Sequence, residues 1–344
     1  MTVAAEVDVL VVGGGPVGLA AAIEARLRGL SVAVVEQRQG RVDKACGEGL
    51  MPGALPALAR LGVDPPGFAL RGVSYRAAGF RADHRFATGV GRGVRRTALH
   101  DALAERARSL GVVVVRGKVD ALEQDSRSVT AAGIRARYLV AADGLHSTVR
   151  RLSGLERPIA ARGRRYGVRR HFRIEPASDL IEVYWTPKAE VYVTPVGGGV
   201  VGIAALGRQG LDFDTVLAGI PALAALVAGS EPASALRGAG PFRQGTTRRS
   251  LGRVLLVGDA SGYVDAITGE GIRVGLAQAE AAIASISRDD PQGYEREWML
   301  RTQDFRILTA GLVAAANSPF RGAIAPAASA LPRVFGAVVE RLAR

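Results

Sequence analysis

The chain has 344 residues and 48% apolar content, which is enough for a sizeable core and excludes a disordered chain. Its formal charge is +13, but the basic residues are scattered and aromatic content is only 5%, so no nucleic-acid partner is expected. The lone cysteine, Cys46, excludes an intrachain disulfide and suits a reducing cytoplasm.

The first element expected is a strand at Val7–Val12. Gly13-Gly14-Gly15-Pro16-Val17-Gly18 follows, giving G-x-G-x-x-G at Gly13, Gly15 and Gly18. An Ala-rich helix then runs over Leu19–Leu27 toward Gly29, a helix stop. Ser31–Val35 is the second strand, and it ends in Glu36. Strand, glycines, helix, strand and acid in this order form a dinucleotide fingerprint. Glycines allow a pyrophosphate to approach the helix N-terminus, and the acid accepts from ribose hydroxyls. A glycine-rich turn without a ligand would not require that acid.

Further along, Ala54–Leu61 is expected to be helical. Gly72–Ala78 and Arg81–Thr88 read as strands, Arg96–Ala107 as a helix and Val112–Val115 as a core strand. Tyr138–Ala142 is a strand ending in the turn Asp143-Gly144. From about 156 to 245 alternating segments appear at Tyr166–Ile174, Ile181–Thr186, Val191–Val196 and Val200–Leu206. They predict an antiparallel sheet facing something on one side, interrupted by one helix at Phe213–Ala228. Half of the Arg169–Arg173 stretch then faces solvent, so His171 receives no role. The densest basic cluster, Arg162-Gly163-Arg164-Arg165, reads as a solvated loop.

Val254–Val257 is a buried strand. It leads through Gly258-Asp259 and the glycine-rich loop Thr268-Gly269-Glu270-Gly271-Ile272 into a helix. The Pro-broken, Ala-rich end reads as two or three short helices. The N-terminus enters a strand directly, so no signal peptide is expected, and no apolar run reaches bilayer-spanning length. The expected location is cytoplasmic, with peripheral membrane contact left open, and the oligomeric state is not specified. No metal site is expected, because no His/Cys/carboxylate spacing suggests one.

Four motifs in this order resemble the p-hydroxybenzoate hydroxylase-type FAD fold: the Gly13–Gly18 fingerprint with Glu36, Arg96-x-x-Leu99, Asp143-Gly144-x-x-Ser147-x-x-Arg150, and Gly258-Asp259. The resemblance covers the chain to about residue 290. It implies an α/β protein: a Rossmann-like FAD-binding domain, an inserted antiparallel-sheet substrate domain and a helical C-terminal region. The FAD-binding domain takes residues 1–61, 93–155 and 246–290, the substrate domain 62–92 and 156–245, and the C-terminal helices 291–344. By the same resemblance Arg96 contacts the pyrophosphate, with Arg95 as its neighbouring alternative. Asp259 holds the ribityl chain and pyrophosphate, and Asp143 and Gly144 support both FAD and pyridine nucleotide. Pro16, Gln37 and Arg38 complete the fingerprint end of the FAD site.

Within the class, Gly269-Glu270-Gly271-Ile272 and the loop Lys44-Ala45-Cys46-Gly47-Glu48-Gly49-Leu50 are similar to the geranylgeranyl reductase branch. That branch places Cys46 and Gly47 beside the isoalloxazine, which makes Cys46 a candidate catalytic residue. It also has a Tyr-x-Trp-x-Phe-Pro segment, where this chain has Val191-Tyr192-Val193-Thr194-Pro195. The halogenase Gly-Trp-x-Trp-x-Ile-Pro motif is absent. Tyr184, Trp185, Tyr192 and Pro195 are the candidate substrate-pocket residues.

The resemblance implies FAD, reduced by NAD(P)H or by a reduced electron carrier, acting on a hydrophobic small molecule. Reduction of a C=C bond is favoured. Oxygen-dependent hydroxylation or epoxidation of an aromatic or polyketide-like substrate is the alternative, and a non-catalytic flavin redox sensor the minor one.

Overall fold

The computed structural model describes residues 6–41, 43–159 and 164–344. At its centre lies a sheet in the order Ser250–Leu251, Val254–Leu256, Ile134–Ala141, Glu6–Val12, Val32–Glu36, Val113–Arg116. Apart from the Ser250–Leu251 edge the neighbours run parallel. Parallel strands covered on both faces need continuous apolar runs, and Val9–Val12 supplies one that is almost wholly buried. Each such side chain contributes about 1.5–3 kcal/mol by leaving water. The helices Pro16–Leu27, Arg96–Ser109 and Gly271–Ser287 share a core with the two central strands.

Val112–Val115 does not behave as a core strand. Val113 and Val114 are 59% and 55% exposed, because their strand is the last in the sheet order. Apolarity at four consecutive positions reported strand propensity rather than depth.

The second sheet has seven strands, in the order Arg237–Ala239, Arg165–Arg173, Val200–Arg208, Ala189–Gly197, Leu180–Trp185, Gly72–Ala77, Phe80–Arg85. Its strands pair antiparallel except where Leu180–Trp185 meets Gly72–Ala77, which is parallel. The sheet is therefore mixed, because residues 72–85 enter it from a separate crossing of the chain.

Each face packs on other parts of the chain. One is covered by the helices Phe213–Ala218 and Pro221–Val227, and the other packs on the C-terminal helices. The single helix expected at Phe213–Ala228 is thus two, broken at Gly219-Ile220 before Pro221. Arg165 is buried beside Glu190 and Asp265 rather than in a solvated loop, whereas Arg162 and Gly163 lie outside the described residues.

The C-terminal region holds a 24-residue helix, Gly293–Ala316, and two shorter ones, Ile324–Ala330 and Pro332–Ala343. The first is longer than expected because the prolines begin only after Ala316. Gly53 N–H donates to the Ala343 carbonyl at 2.7 Å, which returns the chain end to the nucleotide-binding part. Among the described residues no single helix is long and apolar enough to cross a membrane.

Candidate functional site

A cavity of about 570 Å³ runs from the fingerprint turn to the inner face of the second sheet. The strand ends, the motif turns and the Lys44–Gly47 loop all open into it. Such crevices lie at the carboxyl ends of parallel strands, where loops rather than ladders satisfy the backbone.

At one end the turn is held by close packing. Gly13 has φ +105°, and a Cβ there would sit 2.5 Å from the Ala142 carbonyl oxygen. A Cβ on Gly18 would lie 1.8 Å from the Gly13 carbonyl oxygen. Gly18 therefore seats the helix against the turn and does not line the cavity. Gly15 does line it, and its missing Cβ would point into open space. Pro16 follows as the first helical residue, where no N–H is needed. Glu36 Oε2 accepts from Gly14 N–H at 2.7 Å and Oε1 from Arg38 N–H at 2.8 Å, and Gln37 and Arg38 continue the wall.

Arg96 opens the helix Arg96–Ser109 and lines the cavity, whereas Arg95 does not. The Arg96 guanidinium has no hydrogen-bond partner among the described residues, and its Nε is buried. An unpaired, half-buried cation beside a helix N-terminus and a bare glycine turn suits a pyrophosphate. The donor set thus fits FAD: Gly15 and Arg96 for the phosphates and Glu36 for the adenosine ribose.

The Asp143 carboxylate has a local structural use. Its Oδ2 accepts from Thr148 and Val149 N–H at 2.7 and 3.1 Å, and its Oδ1 from Ser147 Oγ–H at 2.5 Å. Arg150, fully buried, donates to the Leu145 and Ala260 carbonyls and so ties this turn to the Gly258-Asp259 turn. Asp143 and Gly144 still line the cavity, as do Gly258 and Asp259. Asp259 pairs with Lys44 Nζ at 3.2 Å across to the Cys46 loop. Gly269, Gly271 and Ile272 line the same space, and so do Cys46 and Gly47. Cys46 is a free, half-buried thiol whose Sγ accepts from Glu48 N–H at 3.4 Å.

Of the four pocket residues expected on the second sheet, only Tyr192 lines the cavity, and its hydroxyl donates to the Ile267 carbonyl at 2.6 Å. Tyr184 points to the other face of the sheet, and its hydroxyl donates to Glu182. Trp185 lies one strand further out, 5.3 Å edge-on to Tyr75 with the Arg321 guanidinium above it. Pro195 pairs with Val201 near the strand end, away from the cavity. Adjacent strand residues face opposite ways, so Tyr184 and Trp185 cannot both line one pocket. Residues missed in the sequence complete the wall: Val168, Arg169, Ala204, Leu206, Phe242 and Tyr263. For Val168, Ala204 and Leu206 the one sequence signal is the apolar character of their strands, which does not say which positions abut a ligand; Phe242 and Tyr263 lie outside the strands.

Glu270, between two lining glycines, is buried with Oε1 lacking a partner among the described residues. Burial pushes its carboxyl up to about 7, and the Arg273 pair only partly offsets this. The folded state therefore holds this proton where the unfolded chain, at 4.5, has released it. The stabilisation is complete below that value and is lost as pH rises through about 7, by roughly 3 kcal/mol. Glu270→Gln should flatten this part of the profile. Thermal melts of both proteins from pH 4 to 8 should show a difference that changes across the window, and a constant difference would contradict the assignment.

Residues 6–170 match the FAD binding domain family. A menaquinone reductase of Mycolicibacterium smegmatis is 30% identical over 339 residues, covering 86% of this chain and 80% of that protein. The chain belongs to this family of FAD-dependent oxidoreductases. A rifampicin monooxygenase of Streptomyces venezuelae is 35% identical to the flavoprotein over 169 residues, 44% of this chain and 34% of that protein. A solved geranylgeranyl bacteriochlorophyll reductase-like protein of Thermoplasma acidophilum shares the fold, with a TM-score of 0.80 at 19% identity over 99% of this chain and 96% of that one.

Proposed function

We propose that the flavoprotein reduces a carbon–carbon double bond in a hydrophobic small molecule. The observation that carries this reading is the similarity to menaquinone reductase, which extends over most of both chains and so beyond the 6–170 match. The cavity wall supports it: beyond the FAD-binding turns, Ala204, Leu206, Phe242 and Ala266 offer an apolar surface, with Tyr192 and Arg169 as its polar neighbours. An apolar chamber excludes water and favours a substrate without charge at the reacting end.

FAD, when bound, supplies hydride chemistry. The protein's own residues hold it through Gly15, Arg96 and Asp259, close the chamber with the Lys44–Gly47 and Gly269–Ile272 loops, and bring a proton. Cys46 is the proposed donor of that proton. The electron donor is proposed to be NAD(P)H or a reduced electron carrier.

The test is anaerobic. FAD-loaded protein, chemically reduced, is mixed with menaquinone as the first probe and then with other apolar alkenes. Flavin reoxidation matched by saturation of one double bond supports the reading. Turnover only with O2, with one oxygen atom entering the product, would overturn it and establish the monooxygenase reading that the rifampicin monooxygenase similarity favours. Reversible reduction of the flavin without turnover of any probe would leave a redox sensor.

A further inference from the structure

We propose that Glu48 and His171, together with Arg169, position the loop that brings Lys44 and Cys46 to the cavity. The three side chains form a buried charged cluster between that loop and the second sheet; Arg169 and His171 are each 1% exposed. His171 Nε2 lies 2.6 Å from Glu48 Oε2. Arg169 Nη1 lies 3.0 Å from His171 Nδ1. A guanidinium cannot accept, so Nδ1 accepts and the imidazole proton sits on Nε2, donated to Glu48.

The cluster grips the loop at both ends. Toward its start, Arg169 Nη2 donates to Asp43 Oδ1 at 2.5 Å and to the Lys44 carbonyl at 3.4 Å, and Arg237 Nε lies 3.3 Å from Asp43 Oδ2. At its far end, Glu48 has φ +60° and Oε1 accepts from Arg96 N–H at 2.8 Å. The same carboxylate therefore links the second sheet, the Cys46 loop and the first residue of the Arg96 helix. Ser234, whose Oγ lies 2.9 Å from His171 Nδ1, closes the cluster on the outer side.

Buried ion pairs of this kind return little net stability, because desolvation offsets their attraction; they fix one geometry among several. Here that geometry sets where the thiol and the Lys44–Asp259 pair stand. Glu48, Arg169 and His171 are positioning residues acting through the loop. The inference rests on the proposed function only in taking that loop as a wall of the reaction chamber.

Cys46 is the only thiol, so its rate of modification by a small disulfide reagent reports the loop directly. The measurement uses the full FAD-loaded chain, well below its unfolding temperature. In His171→Ala and Glu48→Ala the rate should rise at least about three-fold, because the half-buried thiol is released, and the double variant should add little to either single one. Glu48→Gln, which keeps the acceptor for Arg96 N–H, should show a smaller rise. If the alanine variants fail to fold, His171→Gln carries the test by the same three-fold criterion. Rates below that threshold, or slower than wild type, would overturn the proposal and leave the cluster as cement between loop and sheet. Flavin content and substrate turnover are read separately, so failure of the proposed reaction would not disturb the thiol result.

Discussion

Gly15→Val is expected to leave the chain folded and to strip it of FAD. Gly15 has an ordinary backbone, φ −71°, and a Cβ built there meets nothing within 4 Å, so the fold does not oppose a side chain. The space it would enter is the cavity at the N-terminus of the Pro16–Leu27 helix, where free backbone N–H groups would face a bound phosphate. A valine isopropyl group would hold the pyrophosphate away from those donors and from Arg96. Losing several charge-assisted hydrogen bonds should weaken FAD binding by about 100-fold, ~3 kcal/mol. Gly18→Ala is the contrasting case. Its Cβ would meet a carbonyl oxygen 1.8 Å away, so the helix must move off the turn and the protein itself should lose stability. Flavin content after desalting, beside a thermal melt, separates the two. Wild-type flavin content in Gly15→Val would remove the fingerprint turn from the FAD site.

That contrast shows what was legible in the sequence. The fingerprint was readable because close approach and positive φ restrict a few positions to glycine, whatever the rest of the chain does. Arg96 was readable for a related reason: its place at a helix start is local. The second sheet was readable as strands, but not as a site. Arg165, Arg169 and His171 alternate along one strand as a solvent face would, yet all three are buried. Carboxylates from distant segments, Asp43, Glu48, Glu190 and Asp265, pair with them there. No window of sequence contains both partners. The same limit explains Tyr184, Trp185 and Pro195. Their aromatic or rigid character suggested a pocket, but strand order decides which face and which strand border the cavity.

Strand register makes Ala204 the position where a single substitution should separate substrate from cofactor. Ala204 pairs with Tyr192 across neighbouring strands, and both line the cavity. Phe242 and Leu206 flank the same space, so the small side chain at 204 is what keeps that part of the chamber open. Ala204→Trp would fill it with an indole while leaving Gly15, Arg96 and Glu36 untouched. FAD content and the rate of flavin reduction by dithionite should match wild type. Turnover of an apolar alkene should fall about 100-fold, ~3 kcal/mol in transition-state free energy, because displacement by even an ångström breaks alignment with the cofactor. Overpacking a sheet face costs about 1–3 kcal/mol of stability, so Ala204→Leu serves as the milder step and should give an intermediate loss. Unchanged turnover in the tryptophan variant, with the protein folded and yellow, would place the substrate elsewhere along the cavity.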